Sequence, residues 1–344
     1  MKILTVLSFI FMLMNPSIGL SESDSLQVEN LVFEGAGIRG IAYCGALMEL
    51  EERGYTSCID KVAGTSSGAI TACLFSIGYD AKSIYEIIGS TDFGKFNDGG
   101  WGFIGGVSRM KKKFGYYKGK KFLHWLEELI EDKTGSKNTT FRDLITKRSA
   151  QDDCNYKELV IAATSLNHQC TVFFSFETYP DMRIADAVHA SMAIPLYFEP
   201  VIIGKNGEVV EKKKMTKDDH ICVDGGFTAN FIINYFDVKN ENGQLLPAPT
   251  LGLRLDSDEQ IEQDLGERNL AYQDIETTTD FIGAFYYIIK ETMNRQPLTD
   301  IDWNRTISIS DCGVGPKVKK MSTEEKELLI NSGRMGVRRY LGVN

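Results

Sequence analysis

Short apolar runs alternate with amphipathic stretches along most of this chain. Leu31-Val32-Phe33 is an unbroken apolar run that ends at glycines, which suits a strand buried on both faces. After Gly40, the residues Ile41, Cys44, Ala46, Leu47 and Leu50 recur at helical spacing, and the pattern stops near Gly54. Lys61-Val62-Ala63 predicts a second short strand, and Ala69 to Ile77 a helix stopped by Gly78. Further on, Phe122 to Ile130 reads as an amphipathic helix, and Leu159 to Ala163 and Thr171 to Phe176 as buried strands. Ile221-Cys222-Val223 reads as a strand delivering Asp224 to a turn, and Leu251 to Leu255 as a late strand. From about Leu265 the pattern is mostly helical, apart from the run Thr306 to Ile309. Ser322-Thr323-Glu324-Glu325 opens a final helix with a capping-box pattern. Strands alternating with helices predict an α/β protein of three layers, α/β/α, around a mostly parallel central sheet, with a helical C-terminal part.

Residues 92–120 change character. Glycines at 94, 99, 100, 102, 105, 106, 115 and 119 interleave with Phe93, Phe96, Trp101, Phe103, Phe114, Tyr116 and Tyr117. This composition predicts a long glycine-rich aromatic loop. It reads either as a lid or lipid-contacting surface, or as a connection whose aromatics pack on the core.

The length of 344 residues allows one large domain or two ordinary ones, and 43% hydrophobic with 25% charged residues is ordinary for a globular protein. A formal net charge of -9 argues against a dedicated nucleic-acid binder. Two basic runs stand out against it. Lys111-Lys112-Lys113 is followed by Lys118, Lys120 and Lys121, and Lys212-Lys213-Lys214 by Lys217. They are either solvated loops or points of peripheral contact with anionic lipid head groups. Residues 1–19 read as a signal peptide: Lys2, an apolar run from Ile3 to Met14, then small residues at Ser17-Ile18-Gly19. That run is short against the roughly 20 apolar residues of a membrane span, so export is expected ahead of an uncleaved membrane anchor. Cys44, Cys73 and Cys222 sit in apolar runs and read as core residues. Disulfides are open among Cys58, Cys154, Cys170 and Cys312, with no pairing selected. Asn138-Thr139-Thr140 and Asn304-Arg305-Thr306 match the glycosylation acceptor pattern.

Three motifs carry the chemistry. Gly64-Thr65-Ser66-Ser67-Gly68 lies between a predicted strand and a predicted helix, the context of a nucleophile elbow with Ser66 at its centre. Gly64 and Gly68 permit the tight turn, and the following helix points its N-terminal dipole at the site. Gly35-Ala36-Gly37-Ile38-Arg39-Gly40 precedes a helix, so its free amides can cradle an anion and serve as an oxyanion hole. A dinucleotide fingerprint is the competing reading, but Asp60 precedes its strand where the acidic residue should end it. A phosphate P-loop is excluded because Ile41 stands where lysine is required. Asp224-Gly225-Gly226 places a carboxylate on a sharp turn, which alone reads equally as an Asx turn. Of the four histidines, His124, His168, His189 and His220, none follows Asp224. Asp224 therefore cannot be the acid of a triad in the order serine, acid, histidine. An earlier acid paired with His220 remains open, as does a non-catalytic lipid-binding or effector role.

These three motifs, with Ala190-Ser191-Met192-Ala193-Ile194-Pro195 between elbow and aspartate, resemble the patatin-like phospholipase family over roughly residues 29–236. The helical remainder, 237–344, is similar to the C-terminal part of bacterial members and is expected to complete the same domain. The resemblance implies a three-layer α/β fold and a Ser-Asp dyad cleaving lipid acyl esters without a metal or cofactor. Carried over by motif position, Ser66 is the nucleophile and Asp224 the general base. The amides around Gly35, Gly37, Ile38, Arg39 and Gly40 form the oxyanion hole, and Gly64, Gly68, Gly225 and Gly226 support the turns. Ala36 departs from the third glycine of many members but leaves the backbone donors intact. The expected substrate is a membrane phospholipid or another acyl lipid, and a protein activator is left open.

Overall fold

The computed structural model describes residues 27–99, 102–151, 155–295, 297–316 and 318–343. The predicted signal peptide, Trp101 and Cys154 lie outside them. Eight strands form one sheet: β1 (Asn30–Phe33), β2 (Lys61–Thr65), β3 (Glu158–Ser165), β4 (Cys170–Phe174), β5 (Val201–Ile203), β6 (His220–Asp224), β7 (Thr250–Asp256) and β8 (Thr306–Ser310). The path is β8-β7-β1-β2-β3-β6-β5, with β4 hairpinned onto β3. From β8 to β3 every pairing is parallel, while β4, β5 and β6 pair antiparallel.

The two faces of the sheet are covered differently. Leu31, Phe33, Val62, Leu159, Ile161, Leu251, Leu253, Ile307 and Ile309 turn into the main core. There they meet α1 (Ala42–Glu52), α2 (Ser67–Ser76), α3 (Ala81–Ser90), α5 (Lys120–Thr134), α7 (Ile184–Ser191) and α11 (Thr323–Leu341). The alternate residues Val32, Ala63, Val160 and Ala162 face a thinner second core with Ala229, Phe231, Ile232 and Ile233. Strands buried on both faces explain the continuous apolar runs in the sequence. The remaining helices are α4 (Gly102–Lys113), α6 (Phe141–Gln151), α8 (Asp258–Leu265), α9 (Thr278–Arg295) and α10 (Asp300–Asn304).

The C-terminal part belongs to the same sheet through β7 and β8. Its last helix, α11, is opened by the expected capping box between Ser322 and Glu325. It lies on α1, where Arg334 and Arg338 hold Glu49 and Glu52. Arg338 is the main cause that pulls the Glu49 carboxyl down to about 2. On the thinner face, alternation along β7 buries charge in place of hydrocarbon. Arg254 is wholly buried, with Asp256 and Glu291 each at 2.9 Å and Glu34 at 3.4 Å. Arg295 joins Asp256, Glu291 and Asp264.

Three expectations need correction. The stretch 92–120 is no long loop: it holds a short 3-10 turn at Phe93–Phe96, then α4, then a strand at Gly115–Tyr117 paired with Leu196–Phe198. Phe93 and Phe96 pack edge-on against Phe122 and Trp125, and Asp98 accepts the backbone amides of Lys118, Gly119, Lys120 and Lys121. Tertiary packing thus overrides the low helix propensity of glycine. Residues 266–277 are irregular, whereas helix appears earlier, at α8. Cys58, Cys170 and Cys312 are free, so no disulfide joins the described cysteines.

Removing one member of a buried ion cluster leaves its partners uncompensated. Arg254→Met is expected to lower the unfolding free energy by about 3–5 kcal/mol in a denaturant titration, leaving Glu34, Asp256 and Glu291 in the interior with Arg295 and Lys290 as the remaining cations near them among the described residues.

Candidate active site

β3 is flanked on one edge by β4 throughout Ile161 to Ser165, so β2 and β6 must share the other edge. They approach from opposite ends. β2 runs parallel to β3 and its last pair is Thr65 with Ala162; β6 runs antiparallel and its last pair is Asp224 with Ala163. The two carboxyl ends therefore meet at neighbouring positions on β3, and the next residue after β2 is Ser66. That meeting is what brings together side chains 158 residues apart.

Ser66 sits at φ 54°, in the left-handed region that L residues rarely adopt, and α2 begins at the next residue. A serine strained at a strand-to-helix turn is the geometry of a nucleophile elbow. Glycine at 68 is required by close approach. A Cβ there would lie 2.3 Å from the Phe33 carbonyl oxygen, so only a bare backbone lets α2 start this close to β1. Gly64 faces the same turn from β2. Ser66 Oγ donates to Asp224 Oδ2 at 2.7 Å and lies 3.6 Å from Met192 Sδ. The Ser66 amide donates to Ser191 Oγ at 2.8 Å, and Ser191 Oγ donates in turn to the Ala162 carbonyl at 2.6 Å.

Asp224 is buried, and its second oxygen accepts the Gly226 amide at 2.7 Å. Burial raises its carboxyl above the ordinary carboxylate value; the Ser66 hydroxyl, the Gly226 amide and the charge of Lys290 oppose that shift without cancelling it. Gly225 turns the chain directly over the Ala162 carbonyl.

The loop from Gly35 to Gly40 lies against the elbow. Its Gly35 and Ala36 amides are already taken, by the Asn230 carbonyl at 3.1 Å and by Ser67 Oγ at 2.9 Å. Gly37 to Ile41 form a 3-10 turn, so the Gly37 and Ile38 amides stand at a helix start with no acceptor inside the helix. Gly37 adopts φ +60°, and a Cβ there would also lie 2.9 Å from the Pro316 carbonyl oxygen. The Arg39 side chain does not face the serine. Its Nε donates to the Ala36 carbonyl at 3.1 Å and its Nη1 to Asp311 at 2.6 Å, tying the loop to the C-terminal part. Gly40 abuts Ser67 Oγ.

No imidazole hydrogen-bonds to Ser66 or Asp224 among the described residues. His220 Nδ1 is 2.9 Å from Ser165 Oγ, and His168 Nε2 is 3.3 Å from the Asp219 carbonyl. His124 is exposed beside Glu127 and Glu128, and burial pushes His189 down to about 4. The motifs alone did not reveal four further contributors. Ser191 and Met192 lie inside the Ala190 to Pro195 block, but no chemical signal distinguishes them there. Asn230 donates to Glu34 Oε1 at 2.9 Å and to the Gly35 carbonyl at 3.1 Å. Asn294, on α9, accepts the Asn230 amide and donates to the Gly226 carbonyl.

The chain is thus an α/β protein with a strained serine on a strand-to-helix turn, hydrogen-bonded to an acid on the adjoining strand. More narrowly, residues 31–237 match the family profile of the patatin-like phospholipases, and the chain belongs to that family. It is 31% identical over 220 residues to an uncharacterised protein of Acanthamoeba polyphaga mimivirus, covering 63% of each chain. It is 26% identical over 226 residues to a probable lipid hydrolase of Invertebrate iridescent virus 6, covering 62% of this chain and 66% of the relative. The chain thus spans slightly less than two thirds of either viral relative. The crystal structure of VipD from Legionella pneumophila shares the fold, with TM-score 0.55 and 19% identity over 92% of this chain and 67% of that one.

Losing the Ser191 hydroxyl would strand the Ser66 amide and the Ala162 carbonyl away from water. Ser191→Ala is therefore expected to destabilise the protein by about 1–3 kcal/mol, read as a lower denaturant midpoint at unchanged slope.

Proposed function

We propose that this protein hydrolyses lipid acyl esters through a Ser66-Asp224 dyad. The observation that carries the reading is the 2.7 Å hydrogen bond from Ser66 Oγ to Asp224 Oδ2, made on a strained elbow with no histidine at either residue. Family membership and the similarity to a probable lipid hydrolase support a lipid ester as substrate. A phospholipid or lysophospholipid has the required acyl ester.

In the first step Ser66 Oγ bonds to the ester carbonyl carbon as its proton passes to Asp224. The carbonyl oxygen becomes an oxyanion, for which the Gly37 and Ile38 amides at the start of the 3-10 turn are the donors. Collapse expels the lipid alkoxide, which takes the proton from Asp224, and leaves an acyl-serine. Water then adds to the acyl carbon as its proton passes to Asp224, and collapse releases the fatty acid while Asp224 returns that proton to Ser66 Oγ. A carboxylate is a weak base for an alcohol, and its burial moves it toward the operating pH.

Ser66→Ala and Asp224→Asn are each expected to cut hydrolysis of a short-chain ester at least roughly a thousandfold without unfolding the protein. A fluorophosphonate probe should label the wild type and not the Ser66→Ala protein. Wild-type rates with Ser66→Ala would sink the reading, and loss with His220→Ala equal to that with Asp224→Asn would move it to a histidine triad.

The pH profile gives a further check. The base acts as the carboxylate, so activity is full above its pKa and falls as pH drops through it. Because burial raises that pKa, the acid limb of kcat/KM should inflect above the ordinary aspartate value of 3.8. An inflection at or below that value would show that Asp224 is not the titrating base.

A further inference from the structure

Two lysine-rich segments about a hundred residues apart meet on one face. α4 ends in Lys111, Lys112 and Lys113, and the turn Lys212–Lys214 sits against it. Lys212 Nζ donates to the Lys112 carbonyl at 3.2 Å and stands 3.8 Å from the centre of the Phe114 ring. All six lysines are exposed, and among the described residues only Lys113 and Lys213 lie within ion-pair distance of a carboxylate, Glu199 and Glu211. With Lys118 and Lys120, members of both segments rim a recess of about 770 Å³. On a chain of net charge -9 this is a local reversal of sign.

A second recess of about 340 Å³ adjoins it and is lined mainly by hydrocarbon. Phe114, Pro200 and Ile221 belong to both, and Leu166, Pro195, Leu196 and Val223 complete the apolar part. Its rim is unusually bare of cover: Phe114 is 48%, Leu166 51% and Leu196 62% exposed. Phe114 and Leu196 also adopt φ 65° and φ 67°. Bulky residues rarely tolerate that conformation, and such strain concentrates at functional surfaces. Phe114 immediately precedes the short strand pair in which Gly115 opposes Leu196. The recess borders the dyad along the chain. Ile221 and Val223 are on β6, which ends at Asp224, and the Asp224 amide donates to the Ala193 carbonyl two residues before Pro195.

We propose that this face docks the protein on an anionic lipid bilayer. The lysine ammonium groups meet head-group phosphates while Phe114, Leu166 and Leu196 enter the interface beneath them. An exposed apolar rim alone would fit a protein or a lipid. The surrounding lysines, mostly without carboxylate partners on an otherwise acidic protein, select a polyanionic surface, which attracts each lysine independently of its exact geometry. Long lysine stems also let the charge reach the head groups while apolar atoms sink deeper. The proposal rests on the lipid-ester reading of the dyad, since it supplies that site from a membrane.

The test is sedimentation of the full chain with vesicles of phosphatidylcholine alone or mixed with phosphatidylglycerol, using wild type, Lys212→Glu/Lys213→Glu, Phe114→Ser/Leu196→Ser and Ser66→Ala. Any contribution of the N-terminal apolar run is common to all four proteins. Phosphatidylglycerol is expected to raise wild-type partition about tenfold or more, and added salt to reverse it. Each double variant is expected to lose about tenfold while still cleaving a soluble short-chain ester. Ser66→Ala should bind as wild type, so docking and catalysis are read separately and either can fail alone. Equal binding to neutral and anionic vesicles, or unchanged binding of the charge-reversed variant, overturns the proposal. Absence of vesicle binding overturns it as well, and retention on heparin in that case would assign the face to a soluble polyanion.

Discussion

The site depends on one topological constraint: two strands compete for the same edge of β3. β2 occupies that edge as far as Ala162 and β6 takes it over from Ala163, coming the other way. Neither can continue without colliding with the other. β2 escapes through the strained turn at Ser66 and immediately starts α2, and β6 escapes through Gly225. The side chains left at the junction are a hydroxyl and a carboxylate, held in contact by backbone pairings on either side. A triad orients its base with a third residue. Here the sheet fixes both partners, and Asp224 needs only the Gly226 amide to lock its second oxygen.

The residues after 236 are part of this arrangement, and their contribution is polar. Asn294 on α9 holds both Asn230 and the Gly226 carbonyl, and Asn230 reaches back to Glu34 and Gly35. Glu34 in turn accepts the Leu255 amide and faces Arg254. The turn after Asp224 and the start of the amide loop are thus bound to one buried network anchored on β7 and α9. From the other side, Asp311 holds Arg39 and Pro316 crowds Gly37. The C-terminal part therefore braces both halves of the site, through α9 on one side and the segment between β8 and α11 on the other. Buried charge of this kind is weak evidence for stability, but its hydrogen bonds tie segments far apart in sequence to one another.

What the sequence disclosed follows from which interactions are local. The cores of β1 and β2 are buried on both faces, so their hydrophobic signal is continuous, while β7 alternates leucines with buried polar residues, and each glycine motif sits at a close approach. Ser66 and Asp224 were legible as types on turns, but their contact arises from strand order, which no local pattern encodes. The stretch 92–120 misled because its glycines carry a loop signal, while the packing of Phe93 and Phe96 on Phe122 and Trp125 is non-local. Asn230 and Asn294 were invisible for the same reason: an asparagine in sequence looks alike whether it is solvated or buried between two loops. The partner of the Arg39 side chain is likewise non-local: Asp311, 272 residues away, takes its charge.

The balance at Asp224 has a consequence for the proposed chemistry. Burial alone would favour the neutral acid, which cannot accept a proton. The Ser66 hydroxyl, the Gly226 amide and Lys290 each favour the anion, and burial still wins. The anion is therefore a stronger base than a solvated aspartate, with the Ser66 hydroxyl and the Gly226 amide as its hydrogen-bond donors. Lys290 has its own carboxylate neighbour, Glu291, at 3.2 Å, and Glu291 also belongs to the Arg254 cluster. The charge that acts on Asp224 is thus itself paired with a member of the buried ion cluster, which links the base to the residues that hold the neighbouring loops.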